Sequence, residues 1–320
     1  MMYSYVVRQG RITRQDKGAA LADAIWIDLI APDPTEMALL RDLGVDVPTL
    51  ADMEEIEISN RLYREEGLDY MTAVLPGERG DGERVVMPVS FILSAQRLVT
   101  VRHHSPRPFL TYPERGERST LGCSTPHRLF IGLVEEIVAR LADLLEGSGR
   151  LLDDTTQTVF ETRSVRGQGA HLQAALRHVG REAEAMARIR LSLLTIERML
   201  AFYIAAIDEQ PESARLRPVI KGQLRDVQAL EVHADFLGSR VSLAVDTTLG
   251  MINLEQSNAV RILSVVAALF LPPTLIASIY GMNFDVMPEL QKSWGYPMAL
   301  GLMVGTAAAT WLVLRWKRWL

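Results

Sequence analysis

The sequence predicts an α+β protein with an N-terminal α/β domain, a coiled-coil-like stalk of long helices and two membrane-spanning helices at its C-terminal end. Three observations predict this: short apolar runs between turn residues, then long stretches of helical periodicity, then two uncharged apolar segments. The predicted boundaries are residues 1–125 for the α/β domain, 126–261 for the stalk and 262–320 for the membrane part.

The α/β domain is predicted from strand-like runs. Strands are expected at residues 26–30, 67–75, 84–93 and 98–102, with glycine-rich turns between them. After the first strand, Thr35 is expected to cap a helix that runs through Met37 and Leu40. We find no phosphate-binding loop, dinucleotide fingerprint or nucleophile elbow in this region.

The adjacent pair His103 and His104 is the one feature here that suggests a metal site. Neighbouring residues on a strand point to opposite faces, so the pair cannot converge on one ion from a strand. We therefore interpret it as a pair on a surface loop.

The middle of the chain has helical periodicity. Helices are expected at about residues 128–165 and 171–207, separated by residues 166–169, and Pro211 ends the second. A third helix begins near Ser213, and no proline interrupts it between Ile220 and Ile262, so it is expected to continue to Tyr280 over roughly 100 Å. Along it, apolar residues at spacings of three and four form a coiled-coil-like seam: Ile220, Leu224, Val227, Leu230, Ala234, Leu237, Val241 and Ala244.

Two uncharged segments, at about residues 262–281 and 295–314, are each long enough to cross a hydrocarbon core of roughly 30 Å. Basic residues flank them at Arg261 and at the tail after residue 314, so the positive-inside rule predicts both chain ends in the cytoplasm and the loop 282–294 outside. The N-terminal residues lack the apolar core of a signal peptide. These features predict a multi-pass protein of the cell (inner) membrane that contacts membrane lipids.

Charge and cysteine content exclude several classes. The chain of 320 residues has a formal net charge of −5, which argues against a nucleic-acid-binding protein. The single cysteine, Cys123, excludes an intrachain disulfide framework and a cysteine-cluster zinc site. Four basic and two acidic residues follow Ile262, against 34 and 39 in the whole chain, so the part before the membrane carries about −7.

The first span carries a stripe of small and polar residues at helical spacing, namely Ser264, Ala267, Leu271, Thr274 and Ser278. Such a stripe suits a wet path for an ion, and it equally suits tight helix packing in the membrane. Two helices cannot enclose a water-lined path, so a transport function requires several subunits around an axis.

The first span ends in Gly281-Met282-Asn283, followed by Met287-Pro288-Glu289-Leu290 before the second span. Together with the basic, tryptophan-rich tail, this arrangement resembles the CorA magnesium transporters. Amide and carbonyl oxygens also suit Mg²⁺, which gives up its water reluctantly and prefers octahedral oxygen coordination. Asp285 and Glu289 in the outer loop are expected to attract cations.

The resemblance implies a homopentameric funnel that carries Mg²⁺, and also Co²⁺ and Ni²⁺, into the cell and that closes when cytoplasmic Mg²⁺ binds. It assigns the selectivity filter to Gly281, Met282 and Asn283 and regulatory metal binding to Asp246 and Asp226. The pore-lining residues that it implies are Thr274, Leu271, Leu263 and Ser257, and the stripe adds Ser278.

Two alternatives stay open. The same fold could carry another divalent ion such as Zn²⁺, although related zinc transporters usually lack the Met-Pro-Glu-Leu loop. A membrane-anchored enzyme or signalling protein would need a catalytic pocket in the α/β part, and the sequence shows neither a nucleophile motif nor a phosphate loop there.

Overall fold

The computed structural model describes residues 1–16, 20–55, 57–161, 168–207, 212–283, 287–289 and 292–319. The strands are β1 (Met2–Arg8), β2 (Arg11–Arg14), β3 (Trp26–Ile30), β4 (Leu62–Glu65), β5 (Leu68–Glu78), β6 (Arg84–Leu93) and β7 (Leu98–Arg102). The α-helices are α1 (Pro34–Arg41), α2 (Leu50–Glu54), α3 (Pro108–Arg115), α4 (Pro126–Glu161), α5 (Gln168–Ala206), α6 (Ser213–Tyr280) and α7 (Gly295–Trp316). This succession confirms the predicted α+β class.

The strands form one sheet in the order β2-β1-β3-β7-β6-β5-β4. β3 and β7 pair in parallel, and β5 and β6 form a long antiparallel hairpin. The predicted strands β3, β6 and β7 are confirmed, and β5 extends three residues beyond its predicted end. The sequence analysis missed β1, β2 and β4, because these strands are only partly buried and lack a continuous apolar run.

A buried ion pair joins β3 to β7. The Arg102 Nη2 atom lies 2.8 Å from the Asp28 Oδ2 atom, and both residues are 1% exposed. Thr100 donates to Asp28 at 2.8 Å, and the Trp26 indole donates to Thr100 at 3.0 Å. Two charges can remain in a core only when their hydrogen-bonding groups are satisfied, so this network fixes the register of the two central strands.

Two local predictions were wrong. The N-cap of α1 is Asp33, whose carboxylate accepts the backbone N–H groups of Thr35 and Glu36, and Pro34 begins the helix. Aspartate before a proline combines a strong capping acceptor with a residue suited to the first helical position, so it displaces Thr35 from that role.

His104 also does not lie on the surface. Its side chain is buried, and its Nε2–H donates to the Leu75 carbonyl at 2.8 Å. Burial lowers the pKa of His104 to about 4. His103, in the same loop, is half-buried, and burial lowers its pKa as well. The pair does lie in a loop, as predicted, but His104 is a neutral core residue.

The chain divides into two compact units, one comprising Met1–Glu161 with Ala175–Ala244 and the other Thr162–Ala174 with Val245–Leu320. In the first unit, the predicted seam of α6 is confirmed as a packing face, because six of its eight residues are buried. The Gln223 amide of this helix donates to the Ile131 carbonyl of α4 at 3.1 Å. The seam residues that are buried are Ile220, Val227, Ala234, Leu237, Val241 and Ala244.

The long third helix is confirmed at both predicted ends, Ser213 and Tyr280. The predicted break at residues 166–169 was too long: Gln168 and Gly169 already belong to α5, and residues 166 and 167 lie outside the described residues, as does Pro211. The two apolar segments fall within α6 and α7, and both helices are long and apolar enough to cross a membrane.

Candidate functional site

The face of α6 that carries the small-residue stripe extends along the membrane half of the helix. At about 100° per residue, Ser264, Ala267, Leu271 and Thr274 all lie within about 40° of Ser278 around the axis. Leu263 and Ser257 lie at the edges of this face, about 60° away. Within the second unit these side chains are exposed in the single chain, with Leu263 at 72% and Leu271 at 70%. We call this set the α6 stripe.

Thr274 shows how a polar residue is held on this face. Its hydroxyl donates to the Phe270 carbonyl at 2.7 Å, one turn earlier in the same helix. Because the proton is engaged within the helix, the hydroxyl presents its oxygen lone pairs to its surroundings. The exposed polar group of Thr274 is therefore an acceptor, the kind of ligand that a cation requires.

Pro272 and Pro273 interrupt the hydrogen bonding of this helix without ending it. They lack the N–H groups that would pair with the carbonyls of Ala268 and Leu269. Both prolines lie more than about 100° around the axis from Ser278, so they leave the α6 stripe continuous. The sequence analysis did not use this pair, although it is visible as the dipeptide in the middle of the first span.

The predicted filter residues Gly281, Met282 and Asn283 directly follow the C-terminal end of α6. The Gly281 N–H donates to the Ala277 carbonyl at 2.9 Å, and the Met282 N–H donates to the Ile279 carbonyl at 3.3 Å. A Cβ atom on Gly281 would lie 3.1 Å from the Ala277 oxygen, so the turn is tight at this residue. Gly281, Met282 and Asn283 are all exposed, and Asn283 is the first of them without helical or turn structure.

Upstream, the structure adds a residue that the sequence analysis missed. Asn253 is exposed on α6 and lies about 20° around the axis from Ser278, one turn before Ser257. Its four-residue spacing from Ser257 is the signal that could have revealed it. The amide makes Asn253 a better candidate for a polar position on this face than Ser257 at its edge.

The acidic residues predicted to bind or attract cations do not share one face of α6, unlike the residues of the α6 stripe. Asp246 is exposed on α6 in the second unit, about 40° from Ser278 around the axis, whereas Asp226 is exposed on the part of α6 in the first unit. Within the described ranges, no group of three or more His, Cys, Asp or Glu side chains is arranged to hold a metal ion. Glu289 is exposed, and Asp285 lies outside the described residues.

The helix α7 ends in a Schellman turn. The Trp319 N–H donates to the Leu314 carbonyl at 3.0 Å, and the Arg318 N–H donates to the Arg315 carbonyl at 3.1 Å. Arg318 has a φ of 57°, in the left-handed region that normally favours glycine at this position. A non-glycine residue there costs about 1 kcal/mol.

Three features together define a class of membrane transporters: a long uninterrupted helix that continues into an apolar span, an asparagine just after this helix, and a second span after a short loop. The family model described as "CorA-like Mg2+ transporter protein" matches residues 22–318. The chain therefore belongs to the CorA-like Mg²⁺ transporter family.

Curated relatives agree over the full length. The chain is 32% identical over 326 residues to the magnesium transport protein CorA of Pasteurella multocida (strain Pm70), with 100% of each chain covered. It is 30% identical over 325 residues to the protein of the same name from Haemophilus influenzae (strain ATCC 51907 / DSM 11121 / KW20 / Rd), again with complete coverage of both.

Solved structures share the fold. The complete structure of the CorA magnesium transporter from Methanocaldococcus jannaschii matches with a TM-score of 0.76 at 16% identity, covering 100% of this chain and 99% of that one. The full-length CmaX protein matches with a TM-score of 0.70 at 18% identity over 99% and 97% of the two chains. The ZntB cytoplasmic domain from Vibrio parahaemolyticus RIMD 2210633 matches with a TM-score of 0.57 at 13% identity and covers 80% of this chain.

Proposed function

We propose that this chain assembles as a homo-oligomer, a pentamer by family resemblance, and conducts Mg²⁺ across the cell (inner) membrane along the α6 stripe. The observation that carries the proposal is the stripe itself. It presents hydroxyl oxygens on one face of a membrane-spanning helix and leads to Asn283 between the two spans. A ring of such faces encloses the wet path that one pair of spans cannot form.

The entrance chemistry follows from the properties of the ion. Mg²⁺ dehydrates reluctantly, so a selective mouth holds the hydrated ion through neutral oxygens. In the proposed ring, Asn283 amide oxygens and Gly281 carbonyls supply them, with Met282 between them in the filter. A carboxylate ring at this point would bind the ion more tightly and slow its release. Asp285 and Glu289 are proposed to raise the local cation concentration outside this entrance.

The driving force is the membrane potential. Moving one charge across 100 mV is worth about 2.3 kcal/mol, and a divalent ion gains about twice that. We propose that both chain ends lie in the cytoplasm, as the basic residues around the spans indicate. Influx then needs no chemical reaction, in line with membership of a transporter family rather than with the enzyme alternative.

The central test is Asn283→Ala in proteoliposomes with an internal Mg²⁺ indicator. We expect uptake to be lost while the oligomer stays intact by size-exclusion chromatography, because the mouth loses its amide oxygens. Asn258→Ala is the matched control, since Asn258 is exposed on α6 about 160° around the axis from Ser278. Unchanged uptake in Asn283→Ala would rule out this entrance.

Closure is proposed to depend on Mg²⁺ bound at Asp246 and Asp226 on the cytoplasmic side, bridging neighbouring subunits. Mg²⁺ that binds the closed state more tightly than the open state shifts the population toward closure. Asp246→Asn is therefore expected to keep conducting at an internal Mg²⁺ concentration that stops wild-type uptake. Asp42→Asn, at an exposed position after α1, is the control, and equal inhibition of all three proteins would argue against the role of Asp246.

The ion itself is tested by competition. We expect Mg²⁺, Co²⁺ and Ni²⁺ to pass as hydrated ions and Zn²⁺ to pass less well. The zinc alternative predicts the reverse order in the same proteoliposomes. The likeness to the ZntB domain concerns the fold alone, at 13% identity, and does not favour zinc.

A further inference from the structure

The C-terminal turn of α7 carries three basic side chains within four residues, Arg315, Lys317 and Arg318. Basic side chains at a helix end often cap its last carbonyls. Here backbone N–H groups already do so: Lys317 donates to Val313 at 3.0 Å, and the Schellman turn occupies the carbonyls of Leu314 and Arg315. The three cations are therefore not needed to close the helix.

Ion pairs with acidic side chains do not account for these cations either. Within the part of the chain that the structure describes, no acidic side chain forms an ion pair with Arg315, Lys317 or Arg318. Arg315 instead stacks over Trp311, with its Cζ atom 5.1 Å from the ring centroid. This contact holds one guanidinium back along the helix toward the apolar span.

The turn directly follows the apolar span, the position at which lipid headgroups are expected. The uncharged part of α7 ends at Leu314, immediately before the first cation. Trp316 is 83% exposed and Trp319 is 51% exposed, as expected for indole rings in a headgroup layer. Arg318 adopts the left-handed backbone conformation that glycine adopts more easily. The chain therefore has a positively charged residue at a position where the backbone conformation favours glycine.

We propose that the Schellman turn of α7 is a binding site for the phosphate-bearing headgroup of an anionic phospholipid. Arg315 and Arg318 present planar guanidinium donors suited to phosphate oxygens, and Lys317 adds a third positive charge. The exposed indoles of Trp316 and Trp319 flank the acyl chains just below the headgroup. This site does not depend on the proposed ion path, and its test does not measure transport.

The experiment compares lipids around the purified full-length chain in phosphatidylcholine vesicles that contain phosphatidylglycerol. In one sample the phosphatidylglycerol is brominated on its acyl chains, and in the other the phosphatidylcholine. Bromine quenches tryptophan fluorescence at short range, so quenching reports how close the brominated lipid lies to the tryptophan residues. At equal mole fraction, brominated phosphatidylglycerol is expected to quench the wild-type protein more strongly than brominated phosphatidylcholine. In the variant Arg315→Gln, Lys317→Gln, Arg318→Gln, the preference is expected to be lost.

The chain offers a matched control at the opposite end of α7. Lys292 stacks on Trp294 with its Nζ atom 5.3 Å from the ring centroid, but it lies outside any basic cluster. Lys292→Gln is expected to keep the lipid preference. Persistence of the preference in the triple variant, or its loss in Lys292→Gln, would overturn the proposed site.

Two further arms keep the test decisive. Arg318→Gly removes one cation while favouring the same turn, so a reduced preference in this variant supports headgroup binding even if the triple variant fails to assemble. An unchanged preference in Arg318→Gly would contradict the role of that residue. Soluble glycerol phosphate is expected to leave the preference intact, and its removal by this anion would point to a free-phosphate site instead.

Discussion

At the scale of single residues, the α/β unit depends on polar groups that are buried in pairs. Asp28 and Arg102 neutralise each other between two central strands, and Thr100 satisfies a further lone pair of the carboxylate. Desolvation makes a buried pair costly to form, but an unpaired charge in the same place costs far more. These residues therefore tolerate substitution poorly even though they lie far along the chain from the membrane part.

Asp28→Asn is expected to lower the free energy of unfolding by about 3 kcal/mol, because it leaves the Arg102 guanidinium buried without a counter-charge. Chemical denaturation of the detergent-solubilised chain measures this. Glu83→Gln is the control: Glu83 pairs with Arg79 at 3.3 Å on the surface, and its loss is expected to cost less than about 1 kcal/mol. Equal effects of both substitutions would contradict the importance assigned to burial.

His104 predicts a pH dependence of stability. Its pKa in the folded chain is lowered to about 4 by burial, whereas in the unfolded chain it is near 6.5. Between these values the unfolded state binds a proton that the native state excludes, so stability falls as the pH drops from about 6.5 to about 4. The expected contribution is about 3 kcal/mol at the acid end.

The measurement compares wild type with His104→Gln, whose amide can still donate to the Leu75 carbonyl. The denaturation midpoint of the variant is expected to decrease less between pH 6.5 and pH 4. Parallel pH profiles of the two proteins would show that His104 does not titrate in this way.

At the scale of elements, α6 combines two patterns on one helix. In the first unit it buries an apolar seam, and in the second it exposes the α6 stripe. A proline pair on the side away from the stripe frees two backbone carbonyls within an apolar span. The helix persists through them, so side-chain register is maintained to Tyr280.

Thr274→Val is expected to reduce Mg²⁺ flux several-fold, because it removes the hydroxyl oxygen from the stripe and keeps the side-chain shape. Thr306→Val provides a close control, since the Thr306 hydroxyl donates to the Leu302 carbonyl at 2.9 Å in α7 in the same manner. Proteoliposome uptake measures both variants. Equal flux in the two would indicate that Thr274 lies outside the ion path.

At the scale of the whole molecule, the single chain leaves a second apolar row of α6 uncovered. Val232, Phe236 and Leu243 are between 57% and 71% exposed in the first unit and recur at spacings of four and seven residues. Such spacing keeps them on one side of the helix. The homo-oligomer proposed above would cover this row with further copies of the chain and would also complete the proposed ion path.

Leu243→Glu is therefore expected to shift the protein to smaller assemblies, because it places a charge in the proposed subunit contact. Light scattering after size-exclusion chromatography gives the mass. Leu110→Glu is the control, at a residue of α3 with 62% exposure that lies outside this row. If Leu243→Glu retains the wild-type mass, this face of α6 is not a subunit contact.

Residues with a regular pattern were predictable from the sequence. Uncharged spans, the α6 seam and the buried strands β3, β6 and β7 all repeat one signal over many positions. Elements without such a signal were not: β1, β2 and β4 are half-exposed, and Asp33 displaced Thr35 as a cap through a local competition. In the candidate site, the sequence analysis selected Asn283 because it belongs to the Gly-Met-Asn motif. It missed Asn253, whose place on the stripe face is recognised only from its angle around the axis of α6.

The sequence by itself determined the α+β class, the two spans and the uninterrupted helix, because length, hydropathy and periodicity act locally along the chain. Tertiary structure decided which polar residues are buried and which are exposed. The sequence analysis placed His104 on the surface and assigned no burial to Asp28 or Arg102, whereas packing of distant strands makes all three core residues. The physical reason is that the desolvation cost of a charge or a ring nitrogen, and the partner that offsets this cost, both arise only when segments distant in the sequence pack together and exclude water.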